Sequence, residues 1–229
     1  MIKIENVVAP STEQWEAIIR GMRNPMNSWE KSDSGYGCGN DKEYFCDKCS
    51  SSFHCRSREK TYNIGSNDLD LMKRLRNAGT DHRKFMRMIT VYVDITAPLY
   101  WLKEMDQYKV GTVSNSCSTM HKIHAKEFTL DDFSCEYLYL PLQDLRPTID
   151  LLNTYRERYL ETKDKSDWYQ IIQLLPSSYN QRRTYLLNYE VLANIYKSRR
   201  NHKLDEWVEF CGWIKTLPYS ELITGEKAE

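Results

Sequence analysis

Residues 109–121 read Lys109-Val-Gly-Thr-Val-Ser114-Asn-Ser-Cys-Ser-Thr119-Met-His121, and the segments that deliver this run decide the fold. From Arg87 to Ile95 the apolar Ile89, Val91, Val93 and Ile95 alternate with Met88, Thr90, Tyr92 and Asp94, the period of a strand with one face toward a core. Thr96-Ala97-Pro98 then supplies a cap and a first-turn proline, and Leu99, Leu102 and Met105 recur at helical spacing through Tyr108. A strand and a short helix therefore present a hydroxyl-rich loop. Hydroxyls and free backbone N–H groups suit phosphate and pyrimidine oxygens, because each donates without a charge that must be desolvated. A Ser-rich turn with no ligand is the competing reading, and composition does not separate the two.

The chain has 229 residues, 41% of them hydrophobic, enough for one substantial core, so a single domain over 1–229 is expected. Lys plus Arg equals Asp plus Glu at 32 each, which removes any bulk attraction to a nucleic-acid polymer or an acidic membrane. No apolar run approaches a membrane span, and Met1-Ile-Lys-Ile-Glu-Asn6 lacks the apolar core of a signal peptide. A soluble, cytoplasmic protein is expected. Seven cysteines without an export signal favour free thiols or metal ligands over a disulfide framework. Sixteen tyrosines and six tryptophans serve equally well to stack a planar ligand or to fill a core.

A short strand is expected at Ile2 to Val8. Pro10-Ser11-Thr12 then opens a helix with Gln14 placed for a capping box and Trp15, Ile18, Ile19 and Met22 on one face; Asn24-Pro25 ends it. Residues 27–62 are polar and rich in Gly, Ser and Cys, without periodicity, and read as a loop or insertion. Cys38, Cys46, Cys49 and Cys55 lie there beside His54, and Cys46-Asp-Lys-Cys49 is a C-x-x-C. Four soft ligands in a segment with no core of its own match a structural zinc site. With a single C-x-x-C, an insertion carrying reduced thiols is the alternative.

A second helix, from near Asn67 to Gly79, carries Leu69, Met72, Leu75 and Ala78, and the basic run His82 to Arg87 follows it. Phe128 to Phe133 reads as a turn. Helices follow at Thr148 to Leu160 and Asp164 to Gln173, then a strand at Thr184 to Leu187. Asn188 caps a helix bearing Val191, Leu192, Ile195 and Tyr196, and a last helix spans Asp205 to Leu217. The class is α+β and helix-rich.

In the later half Leu175-Pro176 precedes Arg182 near a strand, Asn188 at a helix start, Arg199 and His202 at its end, and Trp207 beyond. This order resembles the C-terminal part of the flavin-dependent thymidylate synthases, the ThyX family. The hydroxyl loop is similar too: the family's Arg-His-Arg-x-x-Ser-x-x-x-x-Ser-x-Arg signature reads here Lys109-Val110-Gly111-x-x-Ser114-x-x-x-x-Thr119-x-His121. Ser114 is retained and Thr119 is conservative. Lys109 and His121 replace arginines, and Val110 and Gly111 are losses. Lysine is a point charge and histidine is largely neutral near pH 7, so anion binding is expected to be weaker or rearranged.

The resemblance implies an α+β fold with a central mixed or antiparallel sheet, a homotetramer, and FAD and dUMP bound between subunits. It implies reductive methylation of dUMP to dTMP with methylenetetrahydrofolate and NADPH. By position, Ser114, Thr119, His121 and Arg199 would contact the nucleotide, while Lys109, Asn188 and His202 would face flavin. Without the resemblance, Arg199 is a cation offsetting a helix dipole and Asn188 only a cap. Cys117, inside the loop, would need a base or a lowered pKa to act as a nucleophile; His121 lies close in sequence, but nothing in the sequence shows that the two side chains meet. The second reading, from another class, is a noncatalytic or altered-specificity nucleotide-binding relative, pyrimidine hydroxymethylation included, with a Cys-rich partner-binding loop.

Overall fold

The alternation after Met88 becomes strand β4, Thr90–Pro98, in which Val91, Val93, Ile95 and Ala97 are fully buried while Tyr92 is exposed. It is the second strand of a four-stranded sheet of order β1-β4-β6-β5, with β1 at Lys3–Val8, β5 at Val113–Ser116 and β6 at Asn180–Asn188. The remaining elements are α1 (Thr12–Arg23), β2 (Gly35–Cys38), β3 (Lys60–Asn63), α2 (Ser66–Asn77), α3 (Leu99–Met105), α4 (Pro141–Thr162), α5 (Lys165–Leu174), α6 (Tyr189–Arg199), α7 (Asp205–Ile214) and α8 (Glu221–Thr224). This computed structural model describes residues 2–38 and 60–225. The architecture is α+β and helix-rich, as expected.

The chain forms two units. One comprises Met1–Val7, Tyr92–Leu186 and Asn201–Phe210 and contains most of the four-stranded sheet. In it Trp101 packs against Trp207 and Phe210, ring centroids 4.6 and 5.5 Å away, and a second cluster joins Ile123, Phe128, Phe133, Leu152 and Ile171. The other unit comprises Val8–Val91, Leu187–Arg200 and Cys211–Glu229. There α1 begins with the expected reciprocal capping box of Ser11 and Gln14, and its Trp15, Ile18, Ile19 and Met22 are buried. Arg23 and Asp68, both buried, join α1 to α2.

Several elements differ from the sequence expectation. Val113–Ser116, expected as loop, is an edge strand antiparallel to β6; serine and asparagine hide strand character when the strand is exposed on both faces, as this one is. Thr96 to Pro98 continue β4, and Pro98 sits at the N-cap of α3 with no side-chain cap. Helix α4 starts at Pro141, not Thr148, and contains Pro147. Pro141 suits a first turn, and Leu145 and Ile149 pack on the Ile123–Phe133 cluster, which holds the helix across the proline that lacks an N–H. In α2 Met72 of the expected row is buried, but Asp68 and Leu71 share the buried face in place of Leu69, Leu75 and Ala78, because Asp68 turns inward to Arg23. Helix α7 stops at Ile214, and i→i−3 bonds carry the chain to Leu217.

The ends of the 27–62 segment are also more regular than expected. Gly35 pairs with Asn63 and Cys38 with Lys60 in an antiparallel ladder. Cys46, Cys49, Cys55 and His54 lie outside the described residues, and so does the zinc expectation that rests on them. Among the described residues no group of three or more His, Cys, Asp or Glu could hold a metal ion. No helix among them is long and apolar enough to cross a membrane.

Candidate functional site

In the first unit, the hydroxyl-bearing strand is placed by register: Ser114 lies opposite Tyr185 and Ser116 opposite Arg183. Directly opposed residues share a sheet face, so the two serines stand on the side of Tyr185 and Arg183, while Asn115 shares the other with Thr184. Burial, partly countered by Arg183, pushes the Tyr185 hydroxyl up to about 12, so it acts as a neutral hydrogen-bonding group. Arg183 is fixed by Asp106 at 2.6 Å and by Gln181 at 2.9 Å. On the opposite face Asp94 accepts from Asn6 at 2.8 Å, from Thr184, and from Arg182 at 2.6 Å. Those bonds, Asn6 foremost, hold its carboxyl well below the usual carboxylate range.

After Ser116 the chain turns. The Ser118 hydroxyl accepts from the backbone N–H of Met120 at 3.2 Å and of His121 at 2.8 Å, and Trp168 Nε1 donates to the Met120 carbonyl at 3.0 Å. Ser114 and His121 are exposed and Thr119 is half-buried. Cys117 is an exposed free thiol. Lys109 is exposed in the turn between α3 and β5 and forms no ion pair among the described residues. Gly111, standing where the signature has its second arginine, has φ +67°. A side chain there would be strained, so the loss of that arginine is built into the backbone. His202 Nδ1 accepts from the Leu204 N–H at 3.2 Å, which leaves the ring proton on Nε2, 3.8 Å from Glu104.

In the second unit, Asn188 is the N-cap of α6 and accepts from the Val191 N–H at 3.0 Å. Arg199 ends the same helix. Eleven helical residues put those two roughly 16 Å apart, so one small ligand group cannot touch both. Glu190, in the first turn, is buried and receives Arg83 at 3.1 Å and a short bond from Arg87. Burial would raise its carboxyl, but the two guanidiniums prevail and hold it lower than usual. A cavity of about 1000 Å³ also lies in this unit, between Arg23, Lys31 and Asp33 on one side and Asp70, Lys73 and Arg74 on the other. None of the expected site residues among the described ones lines it.

The sequence reading missed Gln181, Arg183 and Asp106. The available signal was the Arg182-Arg183 doublet: in a strand, neighbours point to opposite faces, and Arg183 shares the face of Tyr185.

The chain matches no family model and no curated protein. Solved structures do match. A flavin-dependent thymidylate synthase ThyX from Helicobacter pylori, complexed with FAD and dUMP, superposes with TM-score 0.63 at 15% identity, over 98% of each chain. The chain has the ThyX fold. A second structure of Helicobacter pylori ThyX with FAD and dUMP gives TM-score 0.62 at 16% identity, covering 98% of this chain and 97% of that one. A UMP/dUMP methylase, PolB from Streptomyces cacaoi, bound with 5-Br dUMP, superposes on this chain with TM-score 0.57 at 14% identity, covering 98% of this chain and 95% of that one.

Proposed function

We propose that this chain is a divergent flavin-dependent thymidylate synthase, converting dUMP to dTMP with methylenetetrahydrofolate, FAD and NADPH as a homotetramer in the cytoplasm. The observation that carries the reading is the ThyX fold over 98% of the chain, with Ser114, Thr119 and His121 following the fold's strand and helix in the frame of the signature. Ser114, Thr119, His121 and Arg199 contact the nucleotide: hydroxyls donate to pyrimidine and phosphate oxygens, and Arg199 supplies a cation suited to bidentate phosphate binding. His121, which lacks the guanidinium fork, is the weakest of the four.

Lys109, His202 and Asn188 are the residues that would face a flavin dinucleotide. Lys109 is exposed in a turn and gives a diphosphate a point charge, His202 has its tautomer fixed, and Asn188 is held by the cap of α6. Bound flavin supplies the hydride that the protein side chains cannot. The chain's own part is to bind, orient and exclude water. A structural zinc at Cys38, Cys46, Cys49 and Cys55 belongs to the same proposal, and stoichiometric zinc in anaerobically prepared protein is its test.

Gly111 favours a second reading. Its left-handed backbone disfavours a side chain where the signature has an arginine, as altered acceptor specificity or a noncatalytic nucleotide binder would allow. Purified protein supplied with FAD, NADPH and methylenetetrahydrofolate decides: dTMP formed from dUMP supports the enzyme, and dUMP binding without turnover supports the second reading.

A further inference from the structure

The first unit contains a polar chain that the nucleotide reading does not use. Arg183 Nη1 donates to Asp106 at 2.6 Å, Arg183 Nε donates to Gln181 Oε1 at 2.9 Å, and Gln181 Nε2 donates to the Cys117 carbonyl at 2.6 Å. Gln181 is buried and the Arg183 side chain is only 13% exposed. We propose that Gln181 and Arg183 are positioning residues that set the Cys117–His121 segment for its ligand, an inference that rests on the nucleotide reading above.

The chain of bonds has one direction. A guanidinium has donors and no acceptor, so Arg183 can face only the oxygen of the Gln181 amide. The amide nitrogen is thereby aimed at the Cys117 carbonyl, and a flipped amide would set two donors against each other. Asp106, from the residue that follows α3, anchors the guanidinium, so the orientation is passed from the end of that helix to the segment carrying Thr119 and His121.

This control acts where the ladder stops. The β5–β6 strand register runs to Ser116 opposite Arg183, and the Cys117 N–H still donates to the Arg182 carbonyl at 2.9 Å. Beyond that point side chains do the holding: Gln181 at Cys117, Ser118 within the turn and Trp168 at Met120. Cys117, Ser118, Met120 and His121 are all exposed, so little apolar burial fixes the segment. A buried polar chain leading to an exposed turn specifies geometry more than it adds stability.

Gln181→Glu tests this, because it keeps an acceptor for Arg183 and removes the donor to Cys117. Hydrogen exchange at the Met120 and His121 amides is expected to quicken about tenfold, while Val91 and Val93 stay protected. The dUMP Kd is expected to rise about tenfold with Tm nearly unchanged, and Arg183→Lys, which loses the fork but keeps the charge, falls between. Unchanged exchange at Met120 and His121 overturns the positioning role whether or not the wild type binds dUMP. Quickened exchange with unchanged dUMP affinity overturns its link to the ligand. Wild-type protein that does not bind dUMP overturns both that link and the nucleotide reading, while the exchange result still decides the positioning role.

Discussion

The Arg23 guanidinium donates through Nε to Asp68 Oδ1 at 2.5 Å, with the two side chains 5% and 0% exposed. The pair is closed on both sides: Arg23 also donates to the Ser28 and Lys31 carbonyls, and Asp68 accepts from Ser32 and Ser34. It therefore ties the C-terminal end of α1 to the first turn of α2 and to the strap between them. Removing one partner leaves the other charge buried without its counter-charge. Asp68→Ala is expected to cost about 3 kcal/mol, lowering Tm by roughly 6–12 °C for a chain of this size, as read by thermal unfolding.

Acid should unfold the second unit through two carboxylates. Burial raises Asp68, but Ser32, Ser34 and Arg23 outweigh it; burial raises Glu190, but Arg87 and Arg83 outweigh it, so both carboxyls sit below their ordinary values of 3.8 and 4.5. A depressed native value means that the stabilisation is complete above the ordinary value and is lost as pH falls through the native one. Urea unfolding is expected to give a flat free energy from pH 6 down to about 4.5 and a steep decline below. In Glu190→Gln the decline is shallower and the plateau lower, since two guanidiniums are left facing an amide.

Gly111→Ala probes the departure from the family signature. At φ +67° an alanine costs about 1 kcal/mol, and Gly111→Arg should cost at least as much, visible as a lower urea midpoint. If Gly111→Arg instead stabilised the protein or tightened dUMP binding, the backbone would not have adapted to the loss of that arginine.

The sequence revealed most about elements whose burial follows a simple period. In β4 the alternation matched the burial residue by residue, and Ser11 with Gln14 announced α1 because a capping box is local chemistry. It revealed little where tertiary contacts override local preference. Asp68 breaks the apolar row of α2 because its partner is a residue of another helix, and the start of α4 at Pro141 depends on packing around Phe128 and Phe133. The order of Ser114, Asn188 and Arg199 along the chain was legible through resemblance. The strand character of β5 was not, since Ser114 and Ser116 pair by backbone bonds that leave no mark on composition. Gln181 was equally hidden, because a buried amide in a strand signals nothing until its partners are known.

The central claim is that Arg199 grips a pyrimidine nucleotide, and calorimetric titration of dUMP into wild-type protein and Arg199→Ala tests it most directly. The account predicts binding by the wild type and an affinity about ten- to a hundredfold weaker in the variant, with Tm and secondary structure retained. Equal affinity in the two proteins, or no binding of dUMP by the wild type, would contradict it.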